Sequence, residues 1–216
     1  MKRITLLLIF AFSHFLMFCT YANGKDKETR KLLEATAAHL NKCGGISLQF
    51  TVTSLQGKTV QESTNGSMDI QGKKFQMQTP EVLTWFDGHT QWTMQTGDNE
   101  VNMTEPTGTE LQAINPYAFI DIYKRGFNYK MKPGTLSNGK EGHKIFLTAD
   151  NAKQEIREMF LEIDNEMNPV RVSMRQGKSQ WVRIVVNSFK TGQTFDASHF
   201  VFPQDNYPNA EIIDLR

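Results

Sequence analysis

The sequence predicts a mainly β protein with some α: a strongly curved antiparallel sheet, or half-open β-barrel, with helical segments over one opening. Three observations lead to this fold class. Apolar and polar residues alternate with a period of two over many short stretches. Turn-forming Gly, Pro and Asn residues separate these stretches. Helical spacing is confined to two segments, near residues 27–43 and 107–125.

The N-terminus has the pattern of a secretory signal peptide. Lys2 and Arg3 precede an apolar run from Ile4 to Phe18, and Thr20 and Ala22 are the small residues that signal peptidase selects. The run is about 15 residues long, shorter than the roughly 20 that cross a bilayer. We therefore expect residues 1–22 to be removed after Ala22, leaving residues 23–216 as a single domain.

Cysteine usage leaves one alternative at this end of the chain. Cys19 could be the acylated cysteine of a lipoprotein, but Phe18 stands where lipoprotein processing needs a small residue. Without Cys19, the exported chain keeps only Cys43 and has no internal disulfide to form. Its stability must then come from its core.

Composition and charge exclude some partners. The chain has 216 residues, is 39% hydrophobic and carries a formal charge of +1, which becomes −1 once Lys2 and Arg3 are removed. A nucleic-acid-binding protein needs a concentrated basic face, so no nucleic-acid partner is predicted. A near-zero net charge also argues against binding to a membrane by charge alone. We expect a monomer.

The first predicted element is a helix. Asp26 is a suitable N-cap, apolar residues recur at helical spacing from Leu32 to Leu40, and Gly44-Gly45 ends the segment after Cys43. The period then changes to two, because apolar and polar residues alternate between Ile46 and Thr53. Further strands follow after turns, over residues 59–70, 74–78 and 100–104.

A tryptophan hairpin lies at the centre of the strand series. Residues Leu83 to Met94 place Trp85 and Trp92 on two apolar arms around an Asp87-Gly88 turn, a strong signal for an antiparallel hairpin. Asp87 is interpreted as a turn former and His89 as solvent-facing. The two tryptophans need a large partner to pack on or to hold.

The second half returns from helix to strand. Thr107 to Arg125 is predicted as helical, with Asn115 as N-cap and Pro116 at its first position. Strands are predicted over residues 127–131, 142–148, 156–163, 170–176 and 180–189, with a turn at Pro133-Gly134. The short apolar run Ile212-Ile213 is expected to pair at a sheet edge.

Methionine and aromatic residues on alternating strand positions favour an apolar cavity. Methionine adapts to varied apolar surfaces, although an ordinary core is the alternative for each residue. Replacing Trp85 or Met94 by Asp should then abolish uptake of an apolar ligand in a folded protein. The residues predicted to bind the ligand of this cavity are Phe50, Met68, Phe75, Met77, Trp85, Trp92, Met94, Met103, Phe119 and Ile122.

Catalytic signals are absent from the sequence. His39, His89, His143 and His199 have no metal-ligand spacing, and no nucleophile or phosphate-loop motif occurs. The sequence therefore predicts a protein that is not an enzyme, without catalytic residues, metal or cofactor.

The order of these features resembles a known family. A signal peptide, a helix, a long strand with Phe50 and the hairpin Asp87-Gly88-x-Thr90-x-Trp92 are similar to LolA, the periplasmic carriers of outer-membrane lipoproteins. The stretch Asn115-Pro116-Tyr117-Ala118-Phe119 and the ending from Tyr207 to Arg216 look like the Bacteroidetes branch.

The resemblance implies a periplasmic carrier with a curved sheet, helices as a lid and an apolar cavity for the acyl chains of lipoproteins. It would receive cargo from an inner-membrane ABC-type lipoprotein-releasing complex and deliver it to an acceptor at the outer membrane. Where proteobacterial members have a lid-latching arginine, this chain reads Gly72-Lys73-Lys74-Phe75, and Lys73 or Lys74 would have to replace it. A LolA-like carrier of another lipid or glycolipid, and an envelope sensor of lipids or lipoproteins, are the alternatives.

Overall fold

The structure is a computed structural model, and it describes residues 24–107, 122–124 and 126–216. This part of the chain forms helix α1 and twelve β-strands, joined by turns and three 3-10 helices. The bounds are α1 (Lys27–Lys42), β1 (Gly45–Gln56), β2 (Thr59–Gln71), β3 (Lys74–Gln78), β4 (Val82–Phe86), β5 (Gln91–Gln95), β6 (Glu100–Thr104), β7 (Phe127–Thr135), β8 (Glu141–Ala149), β9 (Ile156–Asp164), β10 (Pro169–Gln176), β11 (Gln180–Gln193) and β12 (Glu211–Asp214), with 3-10 helices at Ile122–Lys124, Ala197–Phe200 and Gln204–Asn206.

All twelve strands belong to one open, curved sheet. Their order is β12-β6-β5-β4-β3-β2-β1-β11-β10-β9-β8-β7. Neighbouring strands are antiparallel, except that β12 runs parallel to β6 with Ile212 beside Val101. The mainly β architecture and the pairing of the C-terminal apolar run at a sheet edge are therefore confirmed.

Helix α1 begins and ends where the sequence predicts. The Asp26 carboxylate accepts a hydrogen bond from the Thr29 backbone N–H at 2.8 Å, which satisfies a donor that has no partner within the helix. Hydrogen bonds from Thr29 lower the pKa of the Asp26 carboxyl. After Cys43 the chain turns through Gly44, whose φ of +77° favours glycine.

Strand register divides the side chains of the sheet between two faces. Residues directly opposite each other in antiparallel strands point to the same face. We call the face covered by α1 the helix face, because Leu32 and Leu33 of α1 pack on it between β7 and β10 and Leu40 packs on it near β1. The opposite side is the outer face.

The helix face holds two apolar clusters that form the core. The first is built on β7 to β10 around Ile145, Leu161 and the two leucines of α1. The second is built on β1 to β4 and includes Phe75 and Phe86. Ile184 on β11 packs against both clusters, so the core runs along the sheet beneath α1.

The predicted turn at Pro133-Gly134 is wrong, because β7 continues through both residues, with Pro133 opposite His143. Proline has no backbone N–H to donate to a neighbouring strand. It is tolerated in β7 because β7 is an edge strand, with a neighbouring strand on one side only. The chain turns after β7, where the Leu136 N–H donates to the Lys140 carbonyl at 2.7 Å.

Two other predictions fall mainly outside the described residues. The signal peptide, residues 1–22, lies outside them entirely. Of the predicted helix from Thr107 to Arg125, residues 108–121 and 125 lie outside, and Ile122–Lys124 is a 3-10 helix.

Candidate functional site

Eight of the ten predicted lipid-binding side chains can be placed. Phe119 lies outside the described residues, and so does the side chain of Ile122. The strands that carry the eight, β1 to β6, are consecutive neighbours in the sheet. The pairing register shows that the eight side chains nevertheless form two sets.

The first set lies on the helix face and consists of Phe50, Met68, Phe75 and Met77. Met68 stands opposite Met77, and Ile70 opposite Phe75, across β2 and β3. Phe50, Met68 and Phe75 are buried, whereas Met77 is half-buried at the margin of the cluster. Side chains of this set therefore share one continuous apolar surface with the end of α1.

The second set lies on the outer face and consists of Trp85, Trp92, Met94 and Met103. Trp92 is opposite both Trp85 and Met103. The C-terminal segment covers this set: the ring of Phe202 meets Trp85 edge-on at 5.3 Å between centroids. Trp85 is only 2% exposed and Met94 only 4%. These two residues are core residues beneath the C-terminal segment.

The connection between β3 and β4 separates the two sets. Thr79 closes this turn, since its N–H donates to the Val82 carbonyl at 2.9 Å and its hydroxyl accepts from the Val82 N–H at 3.0 Å. The resulting register places Phe75 opposite Phe86 and Gln76 opposite Trp85. Phe86, which the sequence analysis did not select, therefore faces α1, and Trp85 does not.

A margin of half-buried apolar side chains surrounds the two clusters on the helix face. They are packed against buried residues but keep part of their surface exposed. Because they are grouped on one face, an apolar ligand could contact several of them together. They are Leu40, Val52, Met77, Met131, Ala149, Ile156, Val182, Ile184 and Phe189.

A separate groove of about 600 Å³ lies where β3 ends beside β2. Its lining is about half polar, since the amide groups of Gln49, Asn65 and Gln78 stand beside Phe50 and Pro80. An acyl chain placed there would cover polar groups, which has a cost. Gly66 in its wall stands opposite Phe50. A Cβ on Gly66 would lie 2.5 Å from the Phe50 ring and 2.9 Å from the Gln78 carbonyl oxygen.

Replacing Gly66 by Ala should lower the free energy of unfolding by about 1–3 kcal/mol, since the added methyl group overpacks this corner. Urea unfolding measures the change. Adding Phe50→Leu should make the double variant less destabilised than the sum of the single variants. Strict additivity would contradict the contact between Gly66 and Phe50.

The Asp87-Gly88 turn is structural, as predicted. Asp87 Oδ1 accepts hydrogen bonds from the backbone N–H groups of His89 and Thr90 at 2.9 and 2.8 Å. The His89 side chain is 78% exposed. In the β2–β3 turn Lys73 is exposed and Lys74 half-exposed. Their contact with a lid stays a prediction.

The polar cluster of Ser47, Asp69 and His199 is not arranged for nucleophilic catalysis. His199 Nε2 lies 2.8 Å from Asp69 Oδ2, but the Ser47 hydroxyl donates to the other oxygen of Asp69 at 2.6 Å rather than to the imidazole. Burial raises the pKa of the Cys43 thiol and so disfavours its reactive thiolate. No group of three or more metal-ligating side chains occurs in the described ranges.

None of the helices in the described part of the chain has both the length and the apolar character needed to cross a membrane.

Of three similar solved structures, the first supports the fold. The chain is similar to an uncharacterized conserved protein from Thermus thermophilus, with a TM-score of 0.59 and 12% identity over 87% of this chain and 99% of that one. A putative outer membrane lipoprotein-sorting protein domain from Vibrio parahaemolyticus matches at 0.44 and 6%, over 82% and 97%. A LolA superfamily protein from Nitrosomonas europaea matches at 0.43 and 7%, over 80% and 96%.

The comparison by sequence is more specific. No curated protein matches the chain. The family model described as outer membrane lipoprotein carrier protein LolA matches residues 18–178, most of the chain. The match does not address the Bacteroidetes branch, which stays a prediction. By this match, the chain belongs to the family of the outer membrane lipoprotein carrier protein LolA.

Proposed function

We propose that this protein is a periplasmic carrier that binds the acyl chains of lipoproteins on its helix face and moves them from the inner to the outer membrane. The observation that carries the proposal is the helix face itself, in a chain of the LolA family. Its two apolar clusters are joined through Ile184 beneath a single described α-helix and bordered by half-exposed apolar side chains.

The energy of acyl-chain burial is sufficient for such a carrier. Each buried CH₂ group contributes about 0.8 kcal/mol, so a few acyl chains exceed what reversible capture requires. Entry needs space beneath α1, where Thr29, Leu32, Leu33 and Thr36 are buried, so α1 would have to move. Leu40 also packs on the sheet, and the hydroxyl of Thr36 lies 3.6 Å from Met167 Sδ. We propose that α1, with the segment from 107 to 125, forms the lid.

The proposal assigns different parts to the predicted residues. Phe50, Met68 and Phe75, which are buried, would form the floor, and half-buried Met77 would contact the acyl chains first. Trp85 and Met94 would support the sheet from the outer face. Phe119 and Ile122 would act from the lid.

We extend the proposal to the remaining parts of a carrier role, which the family membership supports only in general terms. Residues 1–22 would direct export and residues 23–216 would act as a monomeric carrier. Acylated lipoproteins would be the cargo, an inner-membrane ABC-type releasing complex the donor, and an outer-membrane component the acceptor. Transfer of acyl chains needs no covalent step, so the proposal includes no enzymatic activity and no cofactor. It also includes no nucleic-acid partner.

Mass spectrometry of the protein purified from its own periplasm tests this function. We expect triacylated lipoproteins to co-purify with it. If only a free lipid or glycolipid co-purifies, the result would favour the alternative function, a LolA-like carrier of another lipid. Recovery of neither class of lipid, from the fresh periplasm of cells making lipoproteins, would contradict a carrier.

A further inference from the structure

The outer face of β7 to β11 carries a concentration of positive charge. Register places three rows of side chains across these strands on that face. The rows contain six cations and two carboxylates, a formal charge of +4, in a chain whose total formal charge is +1. The charged residues are Lys130, Lys132, Lys144, Glu158, Glu162, Arg171, Arg175 and Arg183. We call this surface the basic face.

Both carboxylates of the basic face bond to arginines. Glu162 is 1% exposed and accepts from Arg171 at 2.8 Å and from the Ser137 N–H at 2.9 Å. Glu158 accepts from Arg175 at 2.6 Å. Each carboxylate is thus paired with an arginine of the same face.

Two aromatic rings of the basic face, those of Phe146 and Phe160, lie under its cations. Phe146 and Phe160 contact each other, with centroids 4.9 Å apart. The Lys132 ammonium lies 5.8 Å above the Phe146 ring, and the Arg171 guanidinium 4.8 Å above the Phe160 ring. Partners therefore meet charged groups before they meet apolar surface.

Two lysines of the basic face are direct neighbours across a pair of strands. Lys132 and Lys144 lie directly opposite each other on β7 and β8. Lys144 also lies directly opposite Glu162 on β9, so this pair of lysines borders a carboxylate as well.

We propose that the basic face docks on the surface of a membrane that contains anionic phospholipids. The face extends over five strands of one sheet, so its cations are spread over a broad surface rather than gathered in a pocket. Phe146 and Phe160 lie under the cations, and the third aromatic side chain in the three rows is Trp181, which is half-buried beside Arg175. Tryptophan is a residue type that is enriched where a membrane meets water. The near-zero net charge of the chain conceals this segregation, which is why composition alone argues against membrane binding.

Docking through the basic face would leave the helix face free, because the two faces are opposite sides of the same sheet. The inference therefore goes beyond lipid carriage and does not depend on it. Attraction by a few charges gives weak, salt-sensitive binding, which allows a carrier to leave the membrane again.

Vesicle flotation of the purified exported protein tests this proposal. The probes are vesicles of phosphatidylcholine alone and vesicles of phosphatidylcholine with about 30% phosphatidylglycerol, which give a neutral and a negative surface. We expect binding to the anionic vesicles only, reduced at least about tenfold when NaCl is raised from about 50 to about 300 mM.

The variant Lys132→Glu/Lys144→Glu should lower the partition coefficient at least about tenfold, because each cation near an anionic surface contributes roughly a fivefold factor. The matched control is Lys73→Glu/Lys153→Glu, which replaces two exposed lysines outside the basic face and changes the net charge by the same amount. This control should keep most of the binding. Circular dichroism checks that both variants are folded.

Three results would overturn the proposal. Equal binding to neutral and anionic vesicles would show that charge is not recognised, and equal losses in both double variants would show an effect of net charge only. Failure to bind vesicles, together with retention on a poly-glutamate column, would instead indicate an acidic protein partner.

Discussion

Trp85→Ala should lower the free energy of unfolding by about 3–5 kcal/mol, the largest change in stability that we expect from a substitution in the tryptophan hairpin. The side chain is 2% exposed, and its ring contacts Phe202 at 5.3 Å and Tyr207 at 6.2 Å between centroids. Truncation leaves a cavity between β4 and the C-terminal segment, and it removes the contacts that hold this segment on the sheet.

Urea unfolding followed by circular dichroism measures this effect. Trp92→Ala is the matched control, because Trp92 lies opposite Trp85 in the same hairpin but is only half-buried. Its loss should be less than about half as large. If the two variants lost equal stability, the C-terminal segment would not depend on Trp85. The same burial means that Trp85→Asp would unfold the protein, contrary to the expectation from the sequence.

The strands could be predicted from the sequence because each of them has its own local signal. In β1, alternation from Ile46 to Val52 gives both the strand and its buried side. For α1, the cap at Asp26 and the stop at Gly44 fix the helix within a residue. Such signals depend on backbone geometry and burial over a few neighbouring residues, so they need no knowledge of the fold.

The faces could not be predicted, because they depend on pairing between strands. Alternation shows that Phe75 and Met77 share a face, and that Leu83 and Trp85 share a face, but not whether these two pairs lie on the same side of the sheet. A shift of one residue in the β3–β4 register would exchange Trp85 for Phe86 beneath α1. The basic face was missed for the same reason, since its charges come from five strands that pair only in the folded sheet.

The two faces have different chemical characters, and this difference bears on the choice of residues to test. Apolar side chains on the helix face remain half-exposed at the margin of the core, as Met77 does. On the outer face near β6, Met103 is also half-buried, but it lies beside the C-terminal strand, where the Leu215 N–H donates to its carbonyl at 2.9 Å. These two methionines therefore differ mainly in the face they occupy.

Met77→Asp should reduce acyl-chain uptake by more than about tenfold, whereas Met103→Asp should leave it within about twofold of the wild type. A carboxylate on the helix face would have to lose its hydration when acyl chains cover it, at a cost of several kcal/mol. Titration with a fluorescent fatty acyl probe measures uptake, and circular dichroism confirms that each variant is folded. Because both residues are half-buried strand methionines, a general loss of stability would affect both variants. Loss of uptake in Met103→Asp alone would place the acyl chains on the outer face, and loss in neither would remove Met77 from the binding surface.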